Sequence, residues 1–217
     1  MSLTLCIEEN VNIQPSFSIE ETFGELEGRR IAAIKNERRR AETVAGVSAL
    51  KKALLDRVAG EITRDARGRP HFSDASGVDF SISHSGALSV AAVFDRPSAR
   101  VGIDIEIIDE KKEDTHRRIT ERYFSDEERA VFSACPTPLE FFKLWTAKEA
   151  RAKLSGLGLA EIISNERTSL EKDKEYFISH FLVTYNNEKY ILAVCTDKNE
   201  KIDFICGGAV HVSAIQH

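Results

Sequence analysis

The order of its helical and extended segments limits the fold of this chain more than any other feature of its sequence. Segments with apolar residues at helical spacing are followed by segments rich in β-branched residues, and this succession occurs twice. Helices followed by strands, twice over, predict an α+β protein of two similar halves that meet near residue 100. The predicted elements are a strand at Leu3–Ile7, one or two helices over Arg29–Val58, strands at Phe80–Ser83, Leu88–Phe94 and Arg100–Ile108, helices over Thr115–Leu154, and strands at Tyr176–Tyr185, Lys189–Thr196 and Ile202–Val210.

Turn residues divide these segments. Pro136 and Pro138 must interrupt the second helical region, because a proline inside a helix removes a backbone donor and clashes with the preceding turn. Asn186 and Asn187 predict a hairpin turn, since asparagine tolerates the left-handed backbone that such turns require.

Composition is that of a globular protein. With 42% hydrophobic and 30% charged residues in 217, the chain can form a sizeable core. Its net charge of -5 argues against a nucleic-acid partner, which would demand a basic surface. The four cysteines lie far apart and show no zinc-ligand spacing, so reduced thiols are expected. The first residues carry neither a basic flank nor a long apolar run, so we expect a cytoplasmic protein that does not enter a membrane.

Two acidic residues alternate with apolar ones in the segment Val101–Glu106. Successive side chains of a strand point to opposite faces, so Asp104 and Glu106 would share one face and the isoleucines the other. Two carboxylates in this arrangement supply half of a site for Mg²⁺, which binds a few carboxylates together with water and phosphate oxygens. The alternative is an ordinary amphipathic strand with a solvated acidic face, and these residues alone favour that alternative.

A second group of polar residues lies in the predicted helix over Phe141–Lys153. Trp145, Glu149 and Lys153 are spaced four residues apart and therefore share one face. A carboxylate one turn from an amine can hold a metal ion and a phosphate side by side. The alternative is a simple Glu to Lys pair, worth about 0.3 to 0.5 kcal/mol, beside a tryptophan in the core.

Two shorter motifs add candidate residues. The segment Ser81–Gly86 places hydroxyls and an imidazole at a strand end, where their donors could bind an anion, although a histidine in a turn is more often simply exposed. Ser125 and Glu128 have the spacing of a capping box at the start of a helix. Replacement of Glu128 by Gln is expected to leave helix stability nearly unchanged, since an amide oxygen still accepts the backbone N–H.

Together these motifs resemble those of a known enzyme family. Gly102–Glu106 and Trp145–Lys153 are similar to the paired signature of phosphopantetheinyl transferases of the larger, surfactin-synthetase-activating type. The upstream Gly68–Pro70 and Phe80–Gly86 match that type as well. Arg69 stands where the family usually has Lys. The arginine keeps the positive charge but presents a planar guanidinium with several hydrogen-bond donors.

The resemblance implies a pseudo-twofold monomer with coenzyme A bound between two similar α/β subdomains, residues 1–99 and 100–217, each a small antiparallel sheet with packed helices. Asp104, Glu106 and Glu149 would hold Mg²⁺, or alternatively Mn²⁺. Arg40 is one of three neighbouring arginines that compete for the 3'-phosphate. The residues expected to contact coenzyme A are Arg40, Arg69, Pro70, Ser83, His84, Asp104 and Lys153.

The implied reaction is attack by a serine hydroxyl of an acyl or peptidyl carrier protein on the phosphorus that bears the pantetheine arm, with release of adenosine 3',5'-bisphosphate. Lys153 would neutralise charge on the phosphate oxygens, and Glu128 resembles the family's proposed general base. Two alternatives stay open: a Mg²⁺-dependent phosphohydrolase or nuclease with Asp104, Glu106 and Glu149 as ligands, and a non-catalytic relative that binds carrier proteins.

Overall fold

The computed structural model of the chain describes residues 2–10, 15–57, 60–73, 77–110, 113–164 and 176–215. The helices are α1 (Ile19–Phe23), α2 (Glu25–Ala32), α3 (Glu37–Ala53), α4 (Glu113–Tyr123), α5 (Asp126–Ala134), α6 (Pro138–Ser155) and α7 (Leu159–Ser164). The strands are β1 (Ser2–Glu9), β2 (Ile62–Arg64), β3 (Pro70–Phe72), β4 (Val78–Ser85), β5 (Leu88–Asp95), β6 (Val101–Ile107), β7 (Phe177–Tyr185), β8 (Glu188–Thr196), β9 (Ile202–Cys206) and β10 (His211–Ala214). No helix within the described ranges is long and apolar enough to cross a membrane.

Two four-stranded sheets form the centre of the described fold, in the orders β4-β5-β1-β9 and β10-β7-β8-β6. The predicted α+β class is confirmed. Neighbouring strands run antiparallel except β1 and β9, which pair in parallel. The first sheet is therefore not built from the N-terminal half alone, because β9 completes it. The division between residues 99 and 100 stays a prediction.

The predicted strand over residues 202–210 is wrong in its length. β9 ends at Cys206, and a turn follows that is closed by a 3.0 Å hydrogen bond from the Val210 N–H to the Gly207 carbonyl. β10 then joins the second sheet beside β7. Gly207 and Gly208, adjacent in the sequence, were the signal for this break, since paired glycines commonly mark a turn.

The described elements stack in four layers, helix on sheet on sheet on helix. Apolar side chains from the facing sides of the two sheets form the largest core, among them Leu5, Val90, Ile103 and Leu192. α3 packs on the outer face of the first sheet, and α6 packs on the outer face of the second. Residues of α6 are thereby brought against the outward side chains of β6.

The ends of α6 and the β7-β8 turn follow the sequence signals. Thr137 caps the start of α6, Pro138 occupies its first turn, and Gly156 ends it in the left-handed conformation at φ 71°. Asn186 and Asn187 form the predicted two-residue turn, with φ of 48° and 64°. Both the interruption of the helical region by proline and the asparagine hairpin are confirmed.

Side chains of β4 join the two sheets where their edges meet. β4 and β6 are edge strands of different sheets. They are joined by hydrogen bonds from the backbone of β6 to side chains of β4, and not by the backbone-to-backbone bonds of a sheet. Four side-chain oxygens on alternate residues of β4 accept hydrogen bonds from alternate backbone N–H groups of β6, as the two-residue repeat of a strand allows. The pairs of this side-chain ladder are Asp79 with Val101 (2.8 Å), Ser81 with Ile103 (3.1 Å), Ser83 with Ile105 (3.4 Å) and Ser85 with Ile107 (3.1 Å). The ladder satisfies edge N–H groups that would otherwise be left without acceptors in the interior.

Gly102 marks a very close approach between β6 and α6. A Cβ atom added to it would lie 2.0 Å from the Ala150 carbonyl oxygen and 2.4 Å from the Leu154 nitrogen. Both are backbone atoms of α6, which cannot turn aside as the end of a flexible side chain can. Gly102 is therefore needed for packing, and it sets how near α6 comes to the next outward residue of β6, Asp104.

We expect Gly102→Ala to lower the free energy of unfolding by about 1 to 3 kcal/mol, the usual cost of overpacking a filled core. Unfolding in urea measures the change. Gly207→Ala is a matched control, because a Cβ at that position meets no atom within 4 Å. Equal stability of the two variants would contradict the close packing of α6 on β6.

Candidate active site

Asp104 lies where β6 meets α6, and only 5% of the residue is exposed. Its Oδ1 accepts hydrogen bonds from the Ser83 hydroxyl and the Lys153 ammonium, both at 2.8 Å. Its Oδ2 is buried and has no hydrogen-bond partner among the described residues. Such an oxygen carries a desolvation cost unless a ligand satisfies it. This is the arrangement expected of a carboxylate that binds a cation.

The alternation predicted for this strand is confirmed. Ile103 and Ile105 point into the core between the sheets and are fully buried. Asp104 points to the opposite side, toward Lys153 of α6. The burial of Asp104 contradicts the alternative of a wholly solvated acidic face.

Glu106 and Glu149 lie close enough to Asp104 for the three charges to repel. Burial and the charge of Asp104 raise the pKa of Glu106 to about 7, although Ser85 donates a 2.8 Å hydrogen bond to its Oε2. The same two causes, burial first, raise the pKa of Glu149 above its usual value. A bound cation would relieve the repulsion and favour the ionised form of all three groups.

The three carboxylates do not form a closed ligand set. Within the part of the chain that the structure describes, no three His, Cys, Asp or Glu side chains lie close enough to hold a metal ion. Lys153 occupies Oδ1 of Asp104. The donor chemistry nevertheless fits Mg²⁺, because all the candidate ligands are oxygens and Oδ2 of Asp104 is free, and Mg²⁺ completes its shell with water and phosphate oxygens. Ligation by Asp104, Glu106 and Glu149 stays a prediction.

A cleft of about 260 Å³ opens beside this cluster, between residues of both predicted halves. Arg67, Arg69 and Pro70 line it from the N-terminal part of the chain, and Glu149 and Lys153 line it from α6. Three basic side chains at one cleft favour a ligand with phosphate groups. The structure thus brings Arg69, Pro70 and Lys153 together, as the prediction of a shared coenzyme A site requires.

Arg69 also joins the two parts of the chain. One of its guanidinium nitrogens donates to both carboxylate oxygens of Asp79, at 2.7 and 2.9 Å, and Nε donates to the Lys153 carbonyl at 2.8 Å. Only 12% of its side chain is exposed. A lysine has a single terminal nitrogen and could not make this set of bonds, which gives the departure from the family's usual Lys a structural reason.

The other predicted coenzyme A residues differ in exposure. Ser83 is buried, and its hydroxyl proton is donated to Asp104. His84 is 45% exposed, with Nδ1 3.6 Å from the Glu42 carboxylate. Arg40 lies exposed near the start of α3, the helix that also carries Glu42. His84 and Arg40 are therefore accessible to a ligand, whereas Ser83 is committed to the carboxylate cluster.

Glu128 forms the predicted capping box at the start of α5, which is confirmed. Its side chain accepts the Ser125 N–H at 2.8 Å, and the Ser125 hydroxyl accepts the Glu128 N–H at 3.2 Å. The structure adds a partner that the sequence did not reveal: Lys148 of α6, with Nζ 2.8 Å from Oε2. Neither side chain is more than 1% exposed. The Glu128–Lys148 pair thus ties α5 to α6 one residue before Glu149.

A second, mostly apolar cavity, of about 270 Å³, borders Glu106. Glu106, Ile119, Phe142 and Trp145 contribute to its walls. Trp145 stacks nearly parallel to Phe141, with ring centroids 6.3 Å apart. The tryptophan on the Glu149 face of α6 therefore lines a cavity and is not simply a core anchor.

Several contacts of the predicted site residues were missed by sequence reasoning, although Ser85 and Lys148 lie in segments that it singled out. Asp79, Ser85 and Lys148 contact predicted site residues through pairs 10 to 21 residues apart in sequence or on different elements. A period-two row of polar residues on β4 was the available signal for Asp79 and Ser85. For Lys148 the sequence held no comparable signal.

Comparison with known proteins agrees with the motifs. Residues 100–195 match the family model described as the 4'-phosphopantetheinyl transferase superfamily. The chain is 34% identical over 145 residues to 4'-phosphopantetheinyl transferase psf-1 of Bacillus pumilus, an alignment that covers 62% of this chain and 59% of that protein. It is 32% identical over 148 residues to 4'-phosphopantetheinyl transferase AcpT of Salmonella typhi, covering 67% of this chain and 74% of that protein. It is 31% identical over 139 residues to 4'-phosphopantetheinyl transferase Sfp of Bacillus subtilis strain 168, covering 59% of each.

Proposed function

This chain belongs to the 4'-phosphopantetheinyl transferase superfamily, and on that basis we propose that it moves the 4'-phosphopantetheine group of coenzyme A onto a serine of an acyl or peptidyl carrier protein. The observation that carries the proposal is the unsatisfied Oδ2 of Asp104 beside two further carboxylates and Lys153, at a basic cleft. A cation and a phosphate can be held side by side there.

The transfer is a displacement at phosphorus, and most of its barrier is charge that develops on phosphate oxygens. Mg²⁺ held by Asp104, Glu106 and Glu149 would supply a Lewis acid that polarises those oxygens. Lys153 lines the cleft and is 2.8 Å from Asp104, so its ammonium can bind a phosphate oxygen next to the carboxylates. Asp104 and Ser83 orient that ammonium by accepting its hydrogen bonds.

The two cavities differ in polarity, and this difference indicates the orientation in which coenzyme A binds. Its nucleotide end carries most of the charge and suits the cleft with Arg67, Arg69 and Lys153. Its neutral pantetheine arm suits the apolar cavity lined by Glu106 and Trp145. Glu149 lines the basic cleft and Glu106 lines the apolar cavity, so the pyrophosphate, which contains the bond that breaks, would lie where the two meet.

Glu128 as general base stays a prediction. Its carboxylate is fully buried and bound by Lys148 and by the Ser125 N–H. To take a proton from a carrier serine it would have to be exposed and released from the ammonium. The arrangement favours a structural role.

The proposal is tested by incubation of the protein with coenzyme A, Mg²⁺ and a panel of apo carrier proteins, followed by mass measurement of the carriers. A gain of one phosphopantetheine group that disappears with a chelator supports it. Metal-dependent breakdown of coenzyme A or of a nucleic acid without modification of any carrier would instead indicate the phosphohydrolase or nuclease. Carrier binding without either reaction would indicate the non-catalytic relative.

We expect His84→Ala to weaken coenzyme A binding about 10- to 150-fold, the effect of losing one charge-assisted hydrogen bond worth about 1.5 to 3 kcal/mol. The imidazole is 45% exposed at the end of β4, where it can reach a phosphate. Isothermal titration of coenzyme A measures the change, and His211→Ala, an exposed histidine on β10, is the control. A raised KM for the carrier with unchanged coenzyme A affinity would overturn this assignment.

A further inference from the structure

Ser85 stands at the end of the side-chain ladder and contacts Glu106. Its hydroxyl donates a 2.8 Å hydrogen bond to Oε2 of Glu106 and accepts one of 3.1 Å from the Ile107 N–H. A serine hydroxyl has one proton to donate and lone pairs that accept, so both bonds form together. The backbone of β6 therefore fixes the direction in which Ser85 presents its proton.

The same arrangement occurs two residues earlier on each strand. Ser83 donates to Oδ1 of Asp104 at 2.8 Å and accepts the Ile105 N–H at 3.4 Å. Each serine therefore donates to the carboxylate of one residue of β6 and accepts the backbone N–H of the next residue along that strand. The register of β4 on β6 determines where both carboxylates point.

We propose that Ser85 is a positioning residue that holds the Glu106 carboxylate in the orientation needed for the divalent cation. The inference rests on the proposed function, in which Glu106 is a metal ligand. Ser85 itself does not touch substrate or metal in this role. Hydrogen-bonded neighbours orient ligating carboxylates, and their loss typically costs 10- to 100-fold in metal affinity or activity.

The test is the binding of Mn²⁺ to the full-length protein with coenzyme A present, with free Mn²⁺ counted by electron paramagnetic resonance. We expect Ser85→Ala to weaken Mn²⁺ binding by about 10- to 100-fold. Ser85→Thr keeps the hydroxyl on a strand that accommodates threonine, so it should restore binding to near that of the unaltered protein. The urea midpoint of each variant shows whether the fold is kept.

Ser81→Ala is the control for the ladder itself. Ser81 accepts the Ile103 N–H at 3.1 Å, and within the described residues no hydrogen bond joins it to a carboxylate. Because Ser81 also lines the cleft, Mn²⁺ binding is compared at saturating coenzyme A; the variant should then lose about as much stability as Ser85→Ala does and keep the Mn²⁺ affinity of the unaltered protein. Equal loss of affinity in both alanine variants would mean that the ladder acts only through the fold, and the role of Ser85 would be wrong.

Two further outcomes separate this inference from the function it rests on. If the unaltered protein binds Mn²⁺ and Ser85→Ala binds it as tightly, the positioning role is wrong and the metal site stands. If the unaltered protein binds no Mn²⁺ with coenzyme A present, the metal site is wrong, and the role of Ser85 is wrong with it.

Discussion

Glu149→Gln is expected to lower the rate of phosphopantetheinyl transfer by about 10³-fold or more, the effect of losing several kcal/mol of charge stabilisation at the phosphate. The protein should be as stable as before or more stable. Burial and the Asp104 charge raise the pKa of Glu149, so its ionised form is disfavoured in the unliganded fold. A neutral amide of the same shape removes that repulsion. Rate assays with carrier protein and urea unfolding measure the two effects.

Glu140→Gln provides the matched control for Glu149→Gln. Glu140 lies on the same helix and forms an ordinary pair with Lys143 at 3.1 Å. The same chemical change there should leave the transfer rate unaltered. Calorimetry of Mg²⁺ in the presence of coenzyme A adds an independent measurement, and unchanged affinity in Glu149→Gln would remove this residue from the metal site.

Glu128→Gln is expected to lower the free energy of unfolding by about 3 to 5 kcal/mol, the usual cost of removing one partner from a buried ion pair. The capping box alone predicted almost no change, because glutamine can replace glutamate in it. That expectation is revised by the Lys148 ammonium, which is 1% exposed and lies 2.8 Å from Oε2. In the Gln variant a neutral amide faces the Lys148 ammonium, so this buried positive charge has no negative partner. Urea unfolding measures the loss.

A double variant distinguishes the structural role of Glu128 from the catalytic one. Glu128→Gln with Lys148→Met removes both charges of the buried pair, and the Gln side chain can still accept the Ser125 N–H of the capping box. We expect it to regain most of the stability that Glu128→Gln loses. Near-normal kcat in this folded variant would exclude Glu128 as the base, whereas a fall of about 10² to 10⁴ would identify it. Failure of the double variant to regain stability would contradict the ion-pair argument.

The sequence was most informative where one element decides the geometry. Alternation in β6 correctly separated Ile103 and Ile105 from Asp104, because the two-residue repeat of a strand is local. The paired motifs predicted the family, which the comparisons confirm. The capping box at Ser125 and Glu128 is equally local and was read correctly.

Contacts between elements far apart in sequence could not be read in the same way. The Glu128–Lys148 pair depends on how α5 packs on α6, and the bond from Ser85 to Glu106 depends on the meeting of two sheet edges. Nothing in the spacing of these residues sets those distances. The placement of β9 beside β1 was missed for the same reason.

The pairing of β9 with β1 has a consequence for the order in which this protein is made. Leu3 lies opposite Ile202, so synthesis must pass residue 202 before the first sheet gains its fourth strand. Until then one edge of β1, a strand with a run of five buried residues, has no partner within its own sheet. A strand edge that is apolar and unpaired is prone to aggregation with other chains. Contacts of such long sequence separation also slow folding. β9 thus covers the open edge of β1, which stays without this partner until residues 202–206 have been made.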